Sequence, residues 1–242
     1  MTAVPSISVV MPAYNEAARL DRAITSIVSF LESQNYDWEL VIVDDGSKDK
    51  TAAIASAAAA TNPRIRFVQQ AKNQGKGAAV KRGVGAATKS LIVFTDADQA
   101  TPIEELPQFI ERAAAADIVI GSRYLKSSTI VQKQPLSRRL VSRVGNLLIR
   151  VSLGLPYSDT QCGFKLLTKE AAATVFDRLT IDRWGFDIEL LVIARAHKLR
   201  VEELPVTWHD GGESKLNAGH AAMTTLRELM TIRSNLHQGR YA

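Results

Sequence analysis

The sequence predicts an α/β protein with a mostly parallel central sheet flanked by helices. Short runs of branched and aromatic residues alternate with segments whose apolar residues recur every three or four positions, a pattern typical of βαβ units. Almost every short run ends in a polar cluster, and open parallel sheets bind ligands at the carboxyl ends of their strands. A chain of 242 residues is long enough for one sizeable domain with its own core.

The first half of the chain carries the regular part of this alternation. We predict helices that begin near Leu20, Thr51 and Gly75, each after a strand. The predicted strands are residues 7–11, 39–43, 65–68, 91–95 and 118–120. Because helices separate successive strands, parallel pairing through right-handed crossovers is expected.

The alternation stops after Tyr124, and the second half is predicted to be mainly helical. Residues 136–150 predict a basic amphipathic helix, which is able either to pack on the domain or to lie on a membrane surface. The remaining predicted elements are a short helix from Lys169 preceded by the stretch 159–167, a helix opened by residues 183–191, a strand at 201–204, the stretch 206–208, and a final amphipathic helix that includes Met223 and Ile232.

The net charge of +5 is concentrated in one tract. Between Asp117 and Asp159 there are seven basic residues and no acidic one. Because these seven positive charges exceed the net charge of the whole chain, the rest of the chain is net acidic. The cations of this tract are Arg123, Lys126, Lys133, Arg138, Arg139, Arg143 and Arg150. Such a tract indicates a polyanionic partner, either a phosphate-bearing substrate or an anionic membrane. Nucleic acid is disfavoured because few aromatic residues lie among the cations.

Cysteine content and hydropathy limit the classes of protein to which the chain can belong. The single cysteine, Cys162, excludes an internal disulfide framework. Residues 1–6 do not resemble a secretory leader, and no apolar run approaches the length that spans a bilayer. We therefore expect a chain that is soluble or peripheral at a membrane.

Two carboxylates, Asp96 and Asp98, follow the predicted strand at 91–95. At a strand's carboxyl end they can hold a hard cation, and oxygen ligands suit Mg²⁺ or Mn²⁺. An isolated Asp-x-Asp is also compatible with two solvated turn residues.

A second polar cluster, Gly75-Lys76-Gly77, opens a helix. It lacks the third small residue of a dinucleotide fingerprint, and no P-loop spacing precedes it. Backbone N–H groups at this helix start can bind a phosphate, although a glycine-rich helix cap has the same pattern.

Together these motifs resemble the inverting family 2 glycosyltransferases of the GT-A fold, a Rossmann-like sheet with a C-terminal extension on the acceptor side. The segments that carry the resemblance are 12–16, 43–47, 73–77, 96–98 and 121–123. A second set is most similar to the dolichyl-phosphate β-glucosyltransferases, with polyprenyl-phosphate mannose synthases next. That set comprises 159–165, 183–191 and 214–216.

The resemblance implies transfer of a sugar, with inversion, to the phosphate of a polyprenyl or dolichyl phosphate. The implied donor is UDP-glucose or a UDP-N-acetylhexosamine, and the implied cofactor is Mg²⁺ or Mn²⁺. Alternatives are a GDP-mannose-dependent mannose synthase and a non-catalytic nucleotide-sugar-binding subunit. Residues 1–125 would form the nucleotide-sugar-binding half of one domain, and residues 126–242 the acceptor-binding half.

The resemblance also implies roles for individual residues. Catalysis is assigned to Asp96, Asp98 and Arg123, and the metal to Asp98. Nucleotide-sugar contacts are assigned to Pro12, Tyr14, Glu16, Val43, Asp45, Gly75, Lys76, Asp96, Ala97 and Lys215. The acceptor phosphate is assigned to Arg123, Arg138 and Ser142. His209 stands where mannose synthases carry an arginine, so the resemblance leaves its role open.

A polyprenyl phosphate resides in a bilayer, and this implies how the chain meets its acceptor. We expect peripheral association with an anionic membrane surface at its cytoplasmic face, through the basic helix 136–150. A separately encoded, membrane-spanning partner is a further expectation. No general base is expected, because the acceptor phosphate is already an anion at neutral pH.

Overall fold

The computed structural model describes residues 4–131, 136–209 and 218–241. Within these, the side chains of residues 136–140 and 218–223 lie outside the description. Arg138 is therefore placed only by its backbone, and Lys215 lies outside the described residues.

Strands and helices alternate through the first half as the sequence predicts. The strands are β1 Ser6–Ala13, β2 Asp37–Asp44, β3 Ile65–Gln69, β4 Leu91–Phe94, β5 Ile118–Ser122, β6 Thr129–Ile130, β7 Lys165–Thr168, β8 Val201–Pro205 and β9 Thr207–Trp208. The helices are α1 Leu20–Ser33, α2 Thr51–Thr61, α3 Lys76–Ala86, α4 Leu106–Ala113, α5 Leu136–Leu153, α6 Lys169–Arg178, α7 Phe186–Ala196 and α8 Ala218–His237. A short 3₁₀ helix, Ile103–Glu105, precedes α4.

The central sheet has seven strands in the order β3-β2-β1-β4-β7-β5-β8. Pairing is parallel except at β7, which runs antiparallel to both β4 and β5. The predicted mostly parallel sheet is confirmed, but the prediction of stretch 159–167 was incomplete because it missed β7. The other six strands all run one way, so their carboxyl ends meet at one edge.

Two apolar layers cover the sheet, because alternate side chains of each strand point to opposite faces. Val10 and Val43 pack with α3, α6 and α7 on one face. Val9 and Ile42 pack with α1 and α4 on the other. The sheet draws strands from both predicted halves of the chain, so the halves share one core.

Candidate active site at the carboxyl edge of the sheet

The loops after β1 and β2 are tied together at the sheet edge. Asn15 has a φ of 54°, and its Oδ1 accepts a 2.8 Å hydrogen bond from the Lys48 backbone N–H. The Glu16 backbone N–H donates to Thr51 Oγ1 at 2.8 Å. These bonds fix the loop that carries Tyr14, whose side chain is exposed. The Glu16 carboxylate pairs with Arg19.

Asp45 is buried and fixes the loop between β3 and α3. Its Oδ1 accepts from the Gln74 backbone N–H at 2.7 Å and from Gln70 Nε2 at 3.0 Å. Its Oδ2 accepts from Asn73 Nδ2 and the Gly75 backbone N–H, both at 2.8 Å. The expectation that Gly75 offers a free N–H to a phosphate is therefore wrong, since Asp45 already accepts it. Burial raises the pKa of Asp45, and the bonds from Gln74 and Gly75 oppose that rise.

Asp96 and Asp98 lie directly after β4, at the centre of the edge. Nζ of Lys76, the first residue of α3, lies 2.5 Å from Asp96 Oδ1. Burial alone would lower the pKa of Lys76, but the charges of Asp96 and Asp187 raise it. The Lys76 ammonium also lies 5.6 Å from the ring centroid of Trp184.

Asp98 is the more exposed of the two carboxylates. Its Oδ1 accepts a 3.0 Å hydrogen bond from the Ala100 backbone N–H. The surrounding protein partly desolvates this carboxyl and the Asp96 charge lies nearby, so the pKa of Asp98 is raised. A bound cation would relieve that repulsion.

The carboxylate pair fits a divalent cation that is shared with a phosphorylated ligand. Across the described ranges, no three His, Cys, Asp or Glu side chains come together as a complete metal site. Mg²⁺ is commonly held by one or two carboxylates together with substrate phosphates and water, and the Asp98 carboxylate with Asp96 beside it satisfies that requirement.

Arg123, at the end of β5, forms the second charged centre of the edge. Its Nε and Nη2 donate to the two oxygens of Asp159 at 2.7 and 2.9 Å. The guanidinium lies 5.6 Å from the Tyr124 ring centroid and 5.7 Å from that of Trp208. Burial would raise the pKa of Asp159, but Arg123 holds it below its ordinary value.

Helix α5 reaches this centre through Ser142, whose Oγ lies 2.8 Å from Tyr124 Oη. The guanidinium of Arg143 lies 5.9 Å from the Tyr124 ring centroid, so Tyr124 has two arginines beside it. Asn146 donates through Nδ2 to the Ser158 carbonyl at 2.5 Å, and its Oδ1 accepts from Thr160 Oγ1 at 2.9 Å. Helix α5 is thereby anchored to the loop that carries Asp159.

Loop 159–163 joins the two charged centres. Asp159 binds Arg123 at one end, and at the other end Gly163 lies so close to the Asp96 carboxylate that a Cβ would collide with it. Beside this loop, the His209 backbone N–H donates to the Ala100 carbonyl at 2.7 Å. His209 is exposed there, next to the segment that bears Asp98.

The described face of α5 that points away from the core is apolar. Its exposed apolar side chains are Val141 (72%), Val144 (48%), Leu147 (54%), Leu148 (64%) and Val151 (74%). No described helix is both long enough and apolar enough to cross a bilayer.

The sequence pattern of glycosyl transferase family 2 matches residues 8–176. This match covers β1 to α6 and both charged centres. The chain belongs to glycosyl transferase family 2. The predicted family resemblance is confirmed.

Three similar relatives of this family member are dolichyl-phosphate β-glucosyltransferases. The chain is 40% identical to ALG5C of Trichomonas vaginalis over 219 residues, which are 86% of this chain and 65% of the relative. It is 34% identical to the human enzyme, over 94% of this chain and 74% of the relative. It is 33% identical to the Dictyostelium discoideum enzyme, over 94% and 73%. The chain thus spans about two thirds to three quarters of the length of these relatives.

Solved structures support the predicted GT-A type of fold. A glucosyl-3-phosphoglycerate synthase from Mycobacterium tuberculosis, in complex with Mn²⁺, UDP and glucosyl-3-phosphoglycerate, superposes with a TM-score of 0.69 at 23% identity. The alignment covers 94% of this chain and 80% of that one. The same enzyme with Mg²⁺ and UDP gives a TM-score of 0.68 at 21% identity. At this identity the likeness establishes the fold of this family member.

The structure brings together most, but not all, of the residues that the sequence singles out in this glycosyltransferase. Asp96, Asp98 and Lys76 converge, and Arg123 and Ser142 both lie beside Tyr124. Pro12, Ala13, Val43 and Ala97 line the adjoining strand ends. Sequence reasoning missed Asp159 and Trp208, which meet Arg123 only through long-range packing. It also missed a role for Tyr124, the next residue in the chain, and it counted Arg143 only in the basic tract.

Proposed function

We propose that this chain transfers glucose from UDP-glucose to the phosphate of a dolichyl or other polyprenyl phosphate, with inversion at the anomeric carbon. The observation that carries the proposal is loop 159–163, which contacts Asp96 of the donor centre and Arg123 of the acceptor centre. The relatives named above, which act on dolichyl phosphate by their names, support this acceptor over other phosphates. They also favour glucose over mannose as the sugar.

The donor would bind across the ends of β1, β2 and β4. We assign contacts with the base and ribose to Pro12, Tyr14, Glu16 and Val43, which lie at or just after the ends of β1 and β2. Asp45 supports this part from below through the loop at Gly75, so we assign it an indirect role in nucleotide binding. Lys76, with Lys215, would face the diphosphate.

The donor diphosphate would reach the Asp96 and Asp98 carboxylates together with Mg²⁺ or Mn²⁺. Asp98 would be the direct ligand, since its carboxylate is exposed and Asp96 is already paired with Lys76. The cation, when bound, neutralises charge that develops on the departing nucleotide. Lys76 adds a fixed positive charge beside it.

The acceptor phosphate would bind at the arginine pair around Tyr124. Arg123 is held in place by Asp159 and by two aromatic rings, so its orientation is set before any ligand arrives. Arg143 and Ser142 approach the same ring from α5. Arg138, four residues before Ser142 on α5, would extend this anion site by one turn. Arginine provides the forked donors that a phosphate prefers.

Catalysis would then consist of positioning and charge stabilisation. A phosphate monoester is anionic at neutral pH, so its oxygen attacks the anomeric carbon without loss of a proton to the protein. Two buried carboxylates of α7, Asp187 and Glu189, already accept hydrogen bonds from Lys165 and Thr180. We assign them no proton-transfer role.

The exposed apolar face of α5 would rest in the interface of an anionic membrane at its cytoplasmic face. Apolar side chains on that face and arginines at its edge are the combination that interfacial helices use. Since Asn146 and Ser142 tie the other face of α5 to the acceptor centre, the lipid phosphate would arrive next to Arg123. A separate membrane-spanning partner would strengthen this attachment.

Ligand-induced thermal stabilisation tests the donor part of this proposal. Melting curves would be recorded with UDP-glucose, UDP-N-acetylglucosamine and GDP-mannose, each with and without Mn²⁺. We expect the largest rise in Tm with UDP-glucose and Mn²⁺, and a loss of the Mn²⁺-dependent part in Asp98→Ala. Stabilisation by GDP-mannose alone would contradict the proposal.

A further inference from the structure

A second ion pair lies buried beneath the carboxylate pair. Nζ of Lys165, on β7, donates to Asp187 Oδ1 at 2.5 Å and to the Cys162 carbonyl at 2.6 Å. The Lys165 side chain is 0% exposed and that of Asp187 is 4% exposed. Burying two charges costs desolvation energy that their attraction does not reliably recover, and apolar replacements of such pairs are often as stable. Stability alone therefore gives little reason for an ion pair here.

Aromatic rings connect this pair to the Lys76 ammonium. Lys165 Nζ lies 5.6 Å from the Phe94 ring centroid, and Lys76 Nζ lies 5.9 Å from that of Phe186. The two rings are 5.7 Å apart. Asp187, which contacts Lys165, follows Phe186 in the chain and so adjoins the ring beside Lys76. The Asp187 charge raises the pKa of the Lys76 ammonium, and among the charges that do so only Asp96 has a larger effect.

These contacts leave the centre with a net negative charge. Among the residues that the structure describes, the three carboxylates of Asp96, Asp98 and Asp187 face two ammonium groups, those of Lys76 and Lys165. The Arg19 charge also acts on Asp96 and Asp98, but Glu16 is bound to it and offsets it. The excess is at Asp98, the exposed member of the group.

We propose that Asp187 and Lys165 are positioning residues for the donor's metal and diphosphate, because the Asp187 charge lies next to Phe186, the ring beside the Lys76 ammonium, and adds to the negative potential that attracts a cation to Asp96 and Asp98. Lys165 compensates the buried Asp187 charge. This inference rests on the donor site proposed above. It concerns the electrostatic potential at that site, and neither residue touches the ligand.

Asp187→Asn removes one negative charge and should therefore have opposite effects on the binding of a cation and of an anion. Mn²⁺ binding should weaken by about tenfold, while metal-free binding of UDP should become tighter by a few fold. A purely structural role would weaken both. Mn²⁺ affinity would be measured by electron paramagnetic resonance, and UDP affinity by calorimetry in EDTA.

Two further variants serve as controls that separate the effect of charge from loss of folding. Glu39→Gln removes a buried carboxylate at the amino end of the sheet and should leave both affinities unchanged. The double variant Lys165→Met/Asp187→Leu removes both buried charges together and should preserve the fold. Because Asp187 adjoins Phe186, the ring beside Lys76, whereas Lys165 Nζ lies against Phe94, the double variant should show the same opposite changes at smaller size.

Any other pattern in a folded variant overturns the inference, whether both affinities fall, both rise or neither changes. If the wild-type protein binds Mn²⁺ and UDP but the variants do not show weaker Mn²⁺ binding together with tighter UDP binding, this inference alone is overturned. Wild-type protein that binds neither ligand would overturn the proposed donor site and this inference with it.

Discussion

Nζ of Lys76 lies 2.5 Å from Oδ1 of Asp96, and this contact joins two segments that are separate motifs in the sequence. Lys76 begins α3, whereas Asp96 follows β4. The first segment brings a cation and the second a carboxylate pair, so a metal and a diphosphate would each find an opposite charge at one place.

Replacement of Lys76 should therefore reduce donor use more than it reduces stability. We expect Lys76→Met to lower kcat/KM for UDP-glucose by roughly 100-fold, since one preorganised charge at the diphosphate is lost. Steady-state kinetics with varied donor would measure it. Lys72→Met, at an exposed lysine four residues earlier, is the matched control and should retain wild-type kinetics. Equal effects of both substitutions would contradict the assignment.

Removal of the metal should abolish transfer reversibly. Treatment with EDTA should stop turnover, and added Mn²⁺ or Mg²⁺ should restore it, because the protein provides few ligands without the donor phosphates. Asp98→Ala should not be rescued by the same addition. Full turnover in EDTA would refute a metal requirement.

Asp187 and Glu189 should be dispensable as proton acceptors. At saturating Mn²⁺ and UDP-glucose we expect Asp187→Asn and Glu189→Gln to keep kcat within about tenfold of wild type, because loss of a true general base costs ~10²–10⁴-fold. Circular dichroism would verify folding, since Glu189 accepts bonds from Thr180, Ile181 and Tyr241. A folded, ligand-saturated variant without turnover would show that a base is needed.

Helix α3 should tolerate a methyl group at one glycine and not at another. A Cβ at Gly77 would lie 2.5 Å from the Ile181 carbonyl oxygen and 2.7 Å from Phe186 Cβ, whereas one at Gly85 would meet nothing within 4 Å. Gly77→Ala should lower the free energy of unfolding by roughly 1–3 kcal/mol. Gly85→Ala should raise it by up to about 1 kcal/mol, because alanine favours helix. Urea titration would measure both, and equal effects would contradict this packing.

The Arg123 and Asp159 pair should make stability fall in acid. The pKa of Asp159 is lower in the folded state than in the unfolded state. Its contribution to the free energy of unfolding is therefore present above the ordinary pKa of about 3.9 and is lost as pH falls through the pKa of the folded state. Asp159→Asn should therefore be destabilised at pH 7 and approach wild type at low pH. Urea titrations at both pH values would measure this, with the exposed Glu104→Gln as control. A difference that persists undiminished in acid would rule out this linkage.

The sequence predicted the part of the site that follows strands and missed the part made by long-range packing. Asp96 and Asp98 were found because an apolar run leads directly into them. Strand β7 was missed because it has four residues and begins with Lys165, a buried lysine that interrupts the apolar pattern. Asp45 was placed correctly at a strand end, but its bonds to Asn73 and Gly75 depend on the conformation of another loop.

The acceptor side shows the same limit. The acid-free tract predicted an anion site near Arg123, yet only the fold shows that Arg143 approaches the Tyr124 ring. Helix α5 was predicted to be amphipathic, and the sequence left open whether it packs on the domain or lies on a membrane. Its packed face is now assigned by Asn146 and Ile149, and its other described face remains exposed.

That exposed face should govern attachment to lipid. Leu148→Ser/Val151→Ser should weaken co-sedimentation with anionic liposomes by roughly tenfold or more, since two apolar side chains leave the interface. Val4→Ser, at another exposed valine, is the matched control. Binding should also fall with salt and with Arg138, Arg139 and Arg143 changed to Glu. Binding that none of these changes affects would place the membrane-facing surface elsewhere.

The most direct test is transfer itself. Purified protein would be incubated with Mn²⁺, dolichyl phosphate and radiolabelled UDP-glucose, and the lipid product would be extracted and its anomeric configuration determined. We expect a β-linked glucosyl phosphate lipid, formed with Asp98 and Arg123 intact and lost in Asp98→Ala and Arg123→Gln. Transfer from GDP-mannose in its place, an α-linked product, or glucose transfer to 3-phosphoglycerate but not to the lipid would contradict the proposed function.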